Sequence, residues 1–149
     1  MGKHGRPITI LMADDDRDDC LLVKDAFKES RLANDLRFVE DGEELMDYLY
    51  HRGKYADAKI SPKPGLILLD LNMPRKDGRE ALGEIKSDHD LRSIPIVVLT
   101  TSKQEEDILR SYDVGANSYV TKPVTFKELV EVMKSLGKYW LEIVELPDE

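Results

Sequence analysis

The stretch GLILLDLNM, residues 65–73, constrains the fold more than any other, because a short apolar run with no polar alternation reads as a strand covered on both faces. Four further segments behave alike: ITILMA (Ile8 to Ala13), DLRFVE, IPIVVLT and NSYVTKP. Each leads into a stretch with helical spacing. RDDCLLVKDAFKESRL repeats its apolar positions near Cys20, Val23 and Phe27, and EELMDYLYHR carries Leu45, Met46, Leu49 and Tyr50 on one side. REALGEIKSD, EEDILRSYDVG and FKELVEVMKSLGKYW supply the remaining helices, and Asp41-Gly42 is turn chemistry before the second. Strand and helix in strict alternation predict an α/β fold: a doubly wound, five-stranded parallel sheet with five helices, in the flavodoxin-like manner.

The chain has room for one such domain and a sizeable core, with boundaries at 1–149, a core over about 7–138, a short lead over 1–6 and a C-terminal extension over 139–149. GKYADAKISPKPG, from Gly53 to Gly65, is expected as a long surface loop between the second helix and the third strand. The lead has basic residues but no apolar core of a signal peptide, and no apolar run approaches membrane-spanning length, so the simplest location is the cytoplasm. A net charge of −8 disfavours nucleic acid, which needs a basic face to displace counterions. Protein partners or small cations fit better. Cys20, the one cysteine, lies in a helical pattern and reads as a structural thiol.

In an open doubly wound sheet, ligands gather beyond the carboxyl ends of the strands. The residues found there are chemically specific. Asp14 and Asp15 follow the first strand, Asp70 ends the third, Thr100 ends the fourth, and Lys122 with Pro123 follows the fifth. Hard oxygen ligands at such a crevice suit Mg2+, which keeps waters and takes one or two carboxylates plus a phosphate oxygen. An aspartate attacking phosphorus forms an aspartyl phosphate, and the incoming negative charge has to be met by metal, ammonium and hydroxyl donors. Mg2+ on Asp15 and Asp70, the charge of Lys122 and the hydroxyl of Thr100 would meet it.

These residues resemble a family, the receiver domain of two-component response regulators, best known as chemotaxis-type single domains. The resemblance rests on ILMADDD for the acidic pair, LILLDLNMPRKDG around the acceptor aspartate, PIVVLTTS for a switch threonine and GANSYVTKP for the lysine before proline. It covers nearly the whole chain. It implies that Asp70 accepts the phosphoryl group while Asp14, Asp15 and Asp70, with the backbone carbonyl of Asn72, hold Mg2+. Thr100 would close on the phosphoryl oxygens, Lys122 would pair with the acids, and Tyr119 would move inward with Thr100. Within the family, RKDGREAL, SIPIVVLTTS, the long loop and the terminal YWLEIVELP look most like the small regulators that partner phytochrome histidine kinases. That narrower likeness implies a homodimer through the last helix, last strand and tail.

Each residue also has a plainer reading. Asp16 reads as a helix N-cap, with Asp18 and Asp19 as surface charge at the positive end of the helix dipole. A calcium loop is excluded, since no glycine stands sixth from Asp14 and a strand precedes the run. Thr100 reads equally as an ordinary strand residue with Thr101 as the contact, Tyr119 as a half-buried strand aromatic, and the tail as a helix packed on its own domain. A cis peptide at Pro123 would aim the chain at the site. Asn72 and Ser102 flank the acceptor and can aim or block water.

Three functions compete. A phosphorylation switch takes its phosphoryl group from a histidine kinase and acts on a downstream protein or phosphotransfer partner; no Walker motif is present, so ATP is not the direct donor. A Mg2+-dependent phosphatase or phosphotransferase working through an aspartyl phosphate would need a general acid two residues after Asp70, where Asn72 stands. A receiver-like binding module without phosphorylation would have no use for the acid, threonine and lysine set.

Overall fold

The computed structural model describes residues 8–30, 34–71, 73, 75–76, 78–100, 106, 116, 118–123 and 125–136, with Thr100 described by its backbone alone. Five parallel strands form one sheet: β1 (Thr9–Ala13), β2 (Asp35–Val39), β3 (Leu66–Asp70), β4 (Ile96–Thr100) and β5 (Ser118–Thr121). Their order is β2-β1-β3-β4-β5, so the chain reverses its direction of travel across the sheet after β2. That reversal makes β1 and β3 neighbours, with Ile10 opposite Leu66 and Ala13 opposite Leu69.

Successive strand residues point to opposite faces, and the core divides accordingly. Leu11, Ala13, Ile67, Leu69, Ile96 and Val98 pack on one face with α2 (Gly42–Leu49) and α3 (Gly78–Ser87). Ile10, Met12, Leu66, Leu68, Val97 and Leu99 pack on the other with α1 (Arg17–Glu29) and a C-terminal helix, here α4 (Phe126–Leu136). All five residues of β3 are buried, which is why that strand carries no polar alternation.

Four α-helices lie among the described residues, against five expected; the segment EEDILRSYDVG falls outside them except for Glu106, which is buried and helical. The tail beyond α4, on which the expected dimer partly depends, also lies outside them.

Asp16 caps α1 as its position suggests: its carboxylate accepts from the amides of Asp18 and Asp19 at 2.9 and 3.2 Å. Replacing it with alanine, which cannot cap, lowers stability by about 1 kcal/mol in urea unfolding. An unchanged midpoint would count against the cap.

The Gly53–Gly65 segment is the expected surface loop, anchored at a few points. It opens with a 3-10 turn at Gly53–Tyr55 and is tied to the body by Tyr48 Oη donating to the Pro62 carbonyl at 2.8 Å and by His51 Nε2 at 2.8 Å from the Ser61 carbonyl. Ser61 is buried, and the Gly65 amide donates to the Thr9 carbonyl at 2.8 Å, delivering the chain to the start of β3. Unpaired polar backbone is costly to bury, so these bonds anchor the buried points at Ser61 and Pro64, while Gly53, Lys54 and residues 56–60 stay exposed as a surface loop.

Candidate metal and phosphoryl centre

The sheet register builds the site. Because Ala13 stands opposite Leu69, the residues that follow, Asp14 and Asp70, emerge side by side at the carboxyl edge of neighbouring strands. Asp14 is fixed there by its amide bonding to the Val39 carbonyl at 3.0 Å, and its Oδ1 accepts from the Asp16 amide at 2.9 Å. Asp14 and Asp70 are 1% and 3% exposed, whereas Asp15 is exposed. One carboxylate oxygen from each of the three lies within 4.8 Å of the others.

Across the site, β5 delivers Lys122. Its Nζ sits 2.8 Å from Asp14 Oδ2, 2.8 Å from Asp19 Oδ2 and 3.6 Å from Asp70 Oδ2. Burial alone would weaken its charge, but the bonds to Asp14 and Asp19 and the field of Asp70 outweigh that and hold the ammonium above its ordinary pKa. The partner carboxyl does not respond in mirror image. Burial pushes Asp14 above the usual carboxylate value, and Lys122 with the Asp16 amide brings it only part of the way back. The lysine is therefore securely charged, while Asp14 keeps a burial penalty that the lysine offsets only in part.

That arrangement suits a cation. Three clustered carboxylates, two buried and Asp15 exposed, offer hard oxygen donors and concentrated negative charge. A divalent metal suits that donor set better than a second ammonium. Cys20 is no competitor: its Sγ is 3.8 Å from the Asp14 carbonyl, and burial together with the Asp14 charge pushes the thiol up to about 12. It stays protonated and structural, as its place in α1 suggests.

The remaining expected residues divide into those the structure places and those it does not. Tyr119 is 8% exposed and belongs to the core on the α2–α3 face. Backbone register sets Thr100 beside Thr121, whose hydroxyl donates to Glu106 at 2.7 Å. Asn72, Ser102 and the side chain of Thr100 lie outside the described residues. Pro123 follows Lys122 as expected, and no cis peptide occurs among the described residues, contrary to the cis bend expected at Pro123.

Asp19 is the residue that sequence reading assigned wrongly. Its carboxylate is drawn in to Lys122 and is not free surface charge. The signal was its position three residues after the Asp16 cap, which puts its side chain in the first turn of α1 beside the end of β1. Seeing the contact also requires knowing that β5 ends nearby.

The response regulator receiver domain matches residues 10–134 of this chain. The chain is 44% identical over 141 residues to the response regulator Rcp1 of Synechocystis sp., covering 95% of this chain and 94% of that protein. The crystal structure of the phosphorylated cyanobacterial phytochrome response regulator RcpA is similar with a TM-score of 0.81 and 43% identity, over 92% of this chain and 96% of RcpA. The Mn2+-bound form of Rcp1 is similar with a TM-score of 0.79 and 43% identity, over 92% of this chain and 96% of that one. The matched span runs from Ile10 in β1 to Lys134 in α4 and so takes in Asp14, Asp15, Asp70 and Lys122. The chain belongs to the response regulator receiver domain family.

Proposed function

We propose that Asp70 is the phosphoryl acceptor of a two-component switch, with Mg2+ held by Asp14, Asp15, Asp70 and the Asn72 carbonyl. The observation that carries this reading is the meeting of three carboxylates within 4.8 Å while the Lys122 ammonium stands 3.6 Å from Asp70. The metal, when bound, supplies charge neutralisation at the phosphoryl oxygens and alignment of the donor.

The chain's own residues do the rest. An Asp70 carboxylate oxygen attacks phosphorus as the bond to the donor's imidazole nitrogen breaks, and the imidazole leaves with the electron pair. Asp70 ends β3 at the carboxyl edge of the sheet, beside the exposed Asp15, and in-line attack is read from that edge. Lys122 meets the added charge, with Thr100 as hydroxyl donor, and Asn72 and Ser102 govern the access of water. The new charge shifts a pre-existing equilibrium, read out at Thr100, Tyr119 and the β5–α4 surface.

The donor in this reading is a histidine kinase of the phytochrome class, supported by the likeness to Rcp1 and to the phytochrome regulator RcpA. The Mn2+-bound form of Rcp1 supports a divalent cation at the acid cluster. Output passes to a downstream protein or phosphotransfer partner, with a homodimer through α4, β5 and the tail. The expected cytoplasmic setting agrees with there being no helix long and apolar enough to cross a membrane among the described residues.

Incubation with acetyl phosphate and Mg2+, followed by intact-mass measurement and peptide mapping, tests the reading. One phosphoryl group is expected, on Asp70, and none when EDTA replaces Mg2+. A stable mass with steady turnover of small phosphoesters would instead favour a phosphatase.

A further inference from the structure

Lys122 divides its ammonium unequally. Of its three N–H donors, two serve Asp14 and Asp19 at 2.8 Å, and the distance to Asp70 is 3.6 Å, beyond a normal hydrogen bond. The two tight partners differ in what they lose if the lysine leaves. The Asp14 side chain is fully buried, so losing the ammonium would strand a desolvated carboxylate. The Asp19 side chain is 33% exposed and can take up water in its place.

Asp19 is also held at its post independently of the lysine. Its amide donates to Asp16 Oδ1 at 3.2 Å, so the cap of α1 fixes the backbone from which the side chain reaches Lys122. The sequence RDD at the start of α1 thus supplies a carboxylate that faces the site from outside the strand-end acids.

We propose that Asp19 is a positioning residue that holds Lys122 back from the acceptor, so that a phosphoryl group on Asp70 gains the ammonium by displacing the Asp19 carboxylate. The phosphoryl group brings close to two negative charges, more than one carboxylate can offer in competition. The exchange takes place at the cheaper of the two contacts and leaves the Asp14 pair intact. Asp19 thereby sets how strongly the phosphorylated form is favoured. This rests on Asp70 being the acceptor.

The test is 19F NMR titration of the full chain with beryllofluoride, an acyl-phosphate mimic, at saturating Mg2+. Asp19→Asn keeps a side-chain oxygen but loses the charge, and it should bind the mimic about five-fold more tightly than wild type, the factor expected when an exposed ion pair stops competing. Asp19→Glu restores the charge and should bind within about two-fold of wild type. A purely structural role would lower the thermal midpoint in EDTA without tightening the mimic. Equal or weaker binding by Asp19→Asn overturns the proposal, as does equal tightening by both variants; Asp19→Ser, which also removes the charge, gives the same reading if the asparagine variant folds poorly. A wild type with no bound resonance, or an Asp70→Asn control that retains one, removes the acceptor reading itself and this proposal with it.

Discussion

Replacing Asp70 with asparagine is expected to abolish phosphoryl uptake from acetyl phosphate and, in the absence of metal, to make the protein more stable by about 1 kcal/mol. The first effect follows from chemistry: the amide has no anionic oxygen to attack phosphorus. The second follows from placement. Asp70 is 3% exposed beside Asp14 at 1%, and Lys122 is already bound tightly to Asp14 and Asp19. Removing one negative charge from a crowded buried set relieves repulsion, while the asparagine fills the same volume. The same loss weakens the response to cation. A ligand at a hundred times its Kd adds about 2.7 kcal/mol to wild-type stability, and the variant should gain clearly less. Intact mass, together with urea unfolding in EDTA and in Mg2+, measures both arms. A phosphoryl adduct on the asparagine variant, or a loss of metal-free stability, would show that the acid cluster is arranged for something else. Activity and stability thus pull in opposite directions at this position.

A single methyl group added at Gly78 is expected to cost about 3 kcal/mol and to slow phosphoryl uptake by ten-fold or more. A Cβ there would lie 2.5 Å from the Asp70 carbonyl oxygen and 2.5 Å from Leu71 Cα, and backbone cannot step aside as a flexible side chain can. Gly78 opens α3 and its amide donates to the Leu71 carbonyl at 2.9 Å, so the helix start is stitched to the residue following Asp70. Pushing the two apart moves Asp70 relative to Asp14 and Lys122. Gly83→Ala, in the same helix with nothing within 4 Å of the added carbon, serves as the control and should gain about 0.5–1 kcal/mol. Equal behaviour of the two variants in urea unfolding and in uptake kinetics would separate Gly78 from the acceptor.

The sheet could be read from sequence because β3 is buried on both faces, which forces LILLD to be apolar throughout, and because helical spacing follows each strand. The strand-end acids were legible for the same reason: Asp70 interrupts the most apolar segment of the chain, where a carboxylate needs a purpose. What escaped were features set by tertiary contact. The second helix was expected through EELMDYLYHR but ends at Leu49, where Tyr50 caps it and His51 takes a positive φ of 56°. Partners remote in sequence hold that end: Tyr50 Oη donates to Asp88 at 2.9 Å and His51 meets Ser61. Asp19 escaped likewise, since no local pattern distinguishes a helix-start carboxylate that faces water from one that faces a lysine delivered by another strand.

The Asp14–Lys122 contact joins residues 108 positions apart, and the pairing of β1 with β3 spans the whole intervening β2 unit, which lies on the other side of β1. Such pairings close late, after the entropy of long loops has been overcome. Until β5 has docked, the aspartates at the end of β1 therefore lack Lys122 beside them. The counter-charge of the site thus depends on the last strand being docked: the same long-range closure that completes the sheet also completes the acid–lysine cluster.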